Sequence, residues 1–129
     1  MLNKLTATVV FVNDLDTCMR FYEDKLGLEQ TFTDSVSAGY RMEDQDFLLL
    51  KFEAAADMVG EEALSYEGET GPRVLLCLGV EDVDASYAAL REKGVAFLKP
   101  PKDQAWGRRT AYFADPEGNL WELWHPLAG

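Results

Sequence analysis

The sequence predicts an α+β protein made of one strand–helix–three-strand unit written twice, and three observations carry that prediction. A β-branched run leads into an amphipathic helix closed by glycine in each half of the chain. Sliding the first half forward by 68 positions puts Val12 on Val80, Asp14 on Asp82, Leu15 on Val83 and Asp16 on Asp84, while the closing glycines, Gly27 and Gly94, differ by 67. Matching order and spacing across two halves marks a duplicated unit. At 129 residues, the chain suits one domain that buries about two-thirds of the surface it exposes when unfolded. A single unit is too small to bury its own sheet, so the two are expected to share a core.

The first unit opens with "LTATVVFV", residues 5–12, apolar and β-branched, as a strand that ends at "ND". In "DLDTCMRFYEDKLGL", Leu15, Met19, Tyr22 and Leu26 recur at helical spacing, with Asp14 or Asp16 as N-cap and Gly27 as stop. "LEQTFTD", "AGYRME" and "FLLLKFE" then read as three short strands, the last two joined by the turn-prone "DQD". Residues 54–72, "AAADMVGEEALSYEGETGP", read as an acidic linker with one helical turn, separating a module at 1–53 from a module at 73–129. The second module repeats the order with "RVLLCLGV", the helix "EDVDASYAALREKGV", and strands in "VAFLK", "RRTAYFAD" and "NLWELWH". In "DPEGN", Pro116 presets one turn dihedral, Gly118 accepts positive φ, and Asp115 and Asn119 hydrogen-bond the local backbone. That turn is a structural device joining the last two strands.

Composition narrows the function classes. Apolar residues at 47% with charged residues at 27% describe a globular chain rather than a disordered one. No apolar run approaches the roughly 20 residues of a membrane span, and "MLNKLTATVV" lacks the features of a signal peptide. A cytosolic location is expected. Cys18 and Cys77 share no metal or disulfide spacing. A net charge of −11 repels phosphate backbones and anionic lipid, which argues against nucleic acid and membranes and draws in cations. One histidine, His125, leaves no catalytic triad, and no glycine-rich phosphate loop is present.

"VNDLDTCMRFYEDKLGL" and "AWGRRTAYFADPEGNLWELWHP" together resemble the vicinal oxygen chelate superfamily, which includes glyoxalases, bleomycin-resistance proteins and extradiol dioxygenases. The resemblance spans essentially the whole chain. It implies paired βαβββ modules whose sheets form a cup with helices outside, and a homodimer. It also implies where metal ligands lie in the metal-dependent members: on each first strand, seven residues before the Asp of the V-x-D motif, and on each last strand. Those positions are Ala7 and Leu75 on the first strands, Glu122 in "WEL", and Lys51 in "LKF". One carboxylate beside an ammonium does not assemble the three or more donors that a tightly held metal needs. No metal or other cofactor is therefore expected.

Strand alternation puts Leu120, Glu122 and Trp124 on one face and Trp121, Leu123 and His125 on the other. His125 is thus read as an exposed or capping residue. Glu122 facing an apolar cup needs a partner, and Lys51 is the candidate. Phe11, Lys51, Cys77, Trp106, Leu120, Glu122 and Trp124 are the expected ligand-binding residues, with Trp106 at the rim. The expected function is metal-independent binding or sequestration of a small planar or cationic compound. The alternative is a glyoxalase- or dioxygenase-related lyase or isomerase using Glu122, with no catalytic group assigned beyond it.

Overall fold

A computed structural model describes residues 2–64 and 74–128. The chain divides into two compact units, Met1–Thr70 and Gly71–Gly129. The first contains β1 (Ala7–Val12), α1 (Leu15–Arg20), β2 (Gln30–Thr33), β3 (Ser37–Tyr40), β4 (Asp46–Lys51) and α2 (Phe52–Val59). The second contains β5 (Leu75–Gly79), α3 (Val83–Glu92), β6 (Phe97–Asp103), β7 (Arg108–Ala114) and β8 (Leu120–Pro126). Each unit holds a four-stranded mixed sheet, ordered β1-β4-β3-β2 and β5-β8-β7-β6. In both, the first strand runs parallel to the last and the others pair antiparallel. This is the two-module α+β fold that the repeat predicts.

α1 and α3 start the same way. The Asp14 carboxylate accepts from the Thr17 N–H at 3.0 Å, and the Asp82 carboxylate accepts from the Ala85 N–H at 3.1 Å, each satisfying a backbone donor that the first turn leaves open. They also stop the same way, at Gly27 (φ 72°) and Gly94 (φ 89°), in the left-handed region that costs other residues strain. The one-residue mismatch between the halves has a physical cause. α1 continues as a π-helical turn over Phe21–Lys25, and a π turn accommodates one residue more than an α turn.

In the first unit α1 and its π turn cover one face of the sheet. Tyr22 and Phe47 meet edge to face at 5.2 Å, and Tyr40 lies 6.2 Å from both rings. Val10, Val12 and Leu49 are buried among them, each such side chain contributing about 1.5–3 kcal/mol. Inside this layer the Tyr40 hydroxyl donates to Glu23 Oε2 at 2.8 Å, so burial and the adjacent carboxylate push its phenol well above the usual range. The Phe32 ring crosses Gly39, so a Cβ there would overlap Phe32 Cε1 and displace that ring. In the second unit Val83, Ala111, Phe113, Trp121 and Leu123 are buried, with Phe113 stacked on Trp121 at 6.2 Å and meeting Phe97 at 5.4 Å.

Two elements differ from the sequence reading. The last two residues read as strand, Phe52 and Glu53, and the first six of the stretch read as a linker with one helical turn form an eight-residue helix, α2, followed by a 3₁₀ turn at Glu61–Leu64. Ala55 and Leu64 bury against Leu50, with Phe11 and Phe52 packed beside them. Residues 65–73, the rest of that linker, lie outside the described residues. β6 also runs on through Pro100 and Pro101 to Asp103, which the edge of a sheet permits because no neighbour needs the missing donors. Among the described residues, no helix is long and apolar enough to cross a membrane.

Candidate functional site

Glu122 anchors the candidate site, on the face of the second sheet opposite α3. The turn "DPEGN" sets its register: the Asp115 N–H donates to Asn119 O at 2.9 Å, and the Asp115 carboxylate accepts from the Glu117 and Asn119 N–H groups, both at 2.9 Å. Pairing then places Tyr112 opposite Glu122, Thr110 opposite Trp124, and Cys77 opposite Glu122 from the other side. By alternation Leu75, Cys77, Thr110, Tyr112, Leu120, Glu122 and Trp124 share one face. Trp121, Leu123 and His125 share the other, where His125 Nδ1 accepts from the Val83 N–H at 2.9 Å. His125 therefore caps α3.

Glu122 is only 6% exposed. The Tyr112 hydroxyl donates to its Oε1 at 2.7 Å, and Cys77 lies opposite it on β5. Its hydrogen-bond donor is neutral, and among the described residues no Lys, Arg or His forms an ion pair with it. Cys77 keeps an open side, but partial burial and the Glu122 carboxylate push its thiol up to about 11, with Arg108 opposing the rise. Burial and Glu122 likewise raise the Tyr112 phenol above its ordinary value. Both groups thus stay protonated at neutral pH and available as donors.

Of the other expected site residues, Leu120 and Trp124 are partly buried on the Glu122 face. Trp106 is 63% exposed, on the β6–β7 connection, where the Gly107 N–H donates to Gln104 O at 3.2 Å. Phe11 packs within its own module, meeting Phe52 edge to face at 6.4 Å. Lys51 pairs with Val12, on the same side of its sheet as Phe47 and Leu49. It ends β4 and leads directly into α2. The register also corrects the equivalence between modules. Val9 corresponds to Cys77 in the 68-residue repeat and pairs with Leu48 as Cys77 pairs with Glu122. Leu48, not Lys51, is the counterpart of Glu122.

The positions that the resemblance assigns to metal ligands are therefore Ala7 and Leu48 in the first unit and Leu75 and Glu122 in the second, and three of those side chains have no donor atom. Among the described residues, no group of three or more His, Cys, Asp or Glu side chains is placed to hold a metal ion. The donor set does not fit one.

Sequence reasoning missed Tyr112 and Arg108. Tyr112 was accessible through the turn, since a hairpin centred on Glu117 puts residue 112 opposite residue 122. Arg108 follows by the same alternation on β7. Its guanidinium lies over the Trp124 ring, 3.7 Å from the centroid.

The pattern described as the Glyoxalase/Bleomycin resistance protein/Dioxygenase superfamily matches residues 4–123. The chain belongs to that superfamily. YraH of Bacillus subtilis, described as uncharacterized, is 39% identical over 128 residues, covering 96% of this chain and 99% of that protein. YurT of the same organism, also described as uncharacterized, is 31% identical over 127 residues, covering 93% of this chain and 97% of that protein. A crystal structure of a superfamily member from Nocardioides superposes with a TM-score of 0.86 at 26% identity, covering all of this chain and 87% of that one. A lactoylglutathione lyase from Agrobacterium tumefaciens shares the fold, with a TM-score of 0.75 at 21% identity over 93% of this chain and 91% of that one.

Proposed function

We propose that this superfamily member binds or sequesters a small planar or cationic compound without a metal, on the face that carries Glu122 and Trp124. The observation behind this reading is a buried carboxylate that accepts from a neutral phenol at 2.7 Å and, among the described residues, has no ion-pair partner. A ligand cation meeting Glu122 supplies the opposite charge that this burial favours. Leu120 and Leu75 supply apolar surface beside Trp124 for a planar body. The net charge of −11 attracts such a cation from solution. The same reading takes the protein to act in the cytosol as a homodimer, and native mass spectrometry counts the subunits.

The test is titration of quaternary aromatic cations, N-methylpyridinium, N-methylquinolinium and N-methylacridinium, against neutral pyridine, quinoline and acridine at pH 7.5. At least one cation is expected to bind more tightly than its neutral counterpart, and Glu122→Gln is expected to cost that cation about tenfold, ~1.4 kcal/mol. Equal binding of cations and neutral rings, or no binding of any cation, overturns the reading.

The Glu122–Tyr112 contact favours a second reading, proton transfer at a carbon beside a carbonyl, with the carboxylate as base and the phenol as donor to the developing oxyanion. Deuterium exchange into small α-hydroxy ketones, followed by proton NMR, tests it. Loss of exchange in both Glu122→Gln and Tyr112→Phe is the expected signature; exchange no faster than in buffer refutes it.

A further inference from the structure

Arg108 and Arg109 are neighbours in sequence, and strand alternation gives them opposite faces of the same sheet. Arg109 is fully engaged on the α3 side. It donates to Asp84 at 2.8 and 2.9 Å and to Asp103 at 2.8 Å, tying helix to sheet. Arg108 has no such partner. It is exposed, and among the described residues no carboxylate pairs with it. Its guanidinium instead stacks on Trp124, 3.7 Å from the ring centroid.

The indole beneath it is itself supported. A Cβ at Gly79 would lie 3.5 Å from Trp124 Cζ2, so the ring lies close to β5 as well as to the guanidinium. A stacked guanidinium keeps its N–H donors in the plane of the group, directed outward at its edge. That geometry matches a carboxylate, sulfonate or phosphate and is ready before the ligand arrives. The same fixed charge would repel a ligand that carried only a cation. A ligand with an opposite charge at each end satisfies both residues.

We propose that the ligand is zwitterionic: a planar cation whose charge meets Glu122 and whose anionic group is held by Arg108. This inference rests on the Glu122 reading above and adds a second point of recognition to the same face. Trp124 is two residues beyond Glu122 on β8, a rise of about 7 Å. Arg108 pairs with Pro126 and reaches back over Trp124, so its guanidinium lies toward Glu122 on the same face. The pairing that sets Tyr112 and Cys77 against Glu122, and Thr110 against Trp124, keeps both charges on one face of the sheet. The sequence contains this distinction as "RRT", in which one arginine is structural and the other recognises ligand.

The test compares N-methylquinolinium with N-methylquinolinium-6-carboxylate by calorimetry, on the wild-type protein and on the Arg108→Gln, Arg108→Lys and Glu122→Gln variants. Wild type is expected to bind the carboxylate at least tenfold more tightly than the simple cation. Arg108→Gln is expected to collapse that ratio toward one by weakening the carboxylate. Arg108→Lys, which keeps the charge and loses the planar fork, recovers part of it. Glu122→Gln weakens both ligands. A wild-type ratio near one with the cation still bound overturns this inference and leaves the Glu122 reading standing. Undiminished affinity for the carboxylate in Arg108→Gln overturns it too, because Arg108 would then hold no part of the ligand. Failure of both compounds to bind wild type, with the wider cation panel also silent, overturns both.

Discussion

Replacing Tyr112 with phenylalanine removes only the hydroxyl that donates to Glu122 Oε1 at 2.7 Å. The acceptor is 6% exposed, so water cannot readily replace the lost donor. A hydrogen bond to a charged group contributes about 1.5–3 kcal/mol. Tyr112 is itself only half-buried, which points to about 2 kcal/mol at this site. With a urea slope of about 2 kcal/mol/M for a domain of this size, the unfolding midpoint falls by about 1 M. Glu122→Leu separates this bond from general repacking. In that background the acceptor is gone, and Tyr112→Phe is expected to change stability by less than about 0.5 kcal/mol. The assay is urea unfolding of the four proteins in the double-mutant cycle, followed by tryptophan fluorescence. Equal cost of Tyr112→Phe in both backgrounds would show that the pair does not interact and would refute the description of the site.

Cys77 should be alkylated by iodoacetamide with a pH midpoint of about 11 rather than the ordinary value of about 8.5. Because the Glu122 carboxylate disfavours the thiolate, Glu122→Gln should move that midpoint down; an unchanged midpoint contradicts the contact. Asp115→Ala removes the acceptor of three turn hydrogen bonds, at 2.9, 2.9 and 2.8 Å, and is expected to cost about 2–3 kcal/mol, read as a melting temperature lower by roughly 6–12 °C. A drop of less than about 2 °C would deny the turn its role in fixing the β7–β8 register. Phe113→Ala deletes a ring with no exposure, between Phe97 and Trp121, and should cost about 3–5 kcal/mol in chemical unfolding; a cost below about 1 kcal/mol would place Phe113 outside the core.

The repeat made the strand–helix–three-strand order readable, because helix caps and glycine stops are local signals that do not depend on packing. Its one-residue irregularity was visible in the spacing of Gly27 and Gly94, while its cause, the π turn at Phe21–Lys25, was not. α2 was read as a strand end at Phe52 and Glu53 and as linker from residue 54, because the helix is short and its apolar face is legible only once Leu50 and Phe11 are known to lie against it. β6 was cut short by Pro100 and Pro101, since proline disfavours a strand unless the strand lies at an edge, and edges are a matter of topology.

At the site, Glu122 was legible because a carboxylate between two tryptophans stands out against the period of a strand. The comparison with Lys51 failed on register. β4 ends at Lys51 and enters a helix, whereas β8 continues to Pro126, so similar flanking letters mark different depths in the two sheets. Tyr112 and Arg108 carry no motif. Their place on the Glu122 face follows only when the turn at Asp115–Asn119 is used to count back along β7.

The most direct test of the central claim is calorimetric titration of the tightest-binding quaternary aromatic cation into protein dialysed exhaustively against a chelator. Only one of the four inherited ligand positions, Glu122, carries a donor side chain, so the account predicts the same affinity before and after dialysis and a loss of about tenfold in Glu122→Gln. Binding that disappears on dialysis and returns with added zinc, nickel, iron or manganese would contradict it.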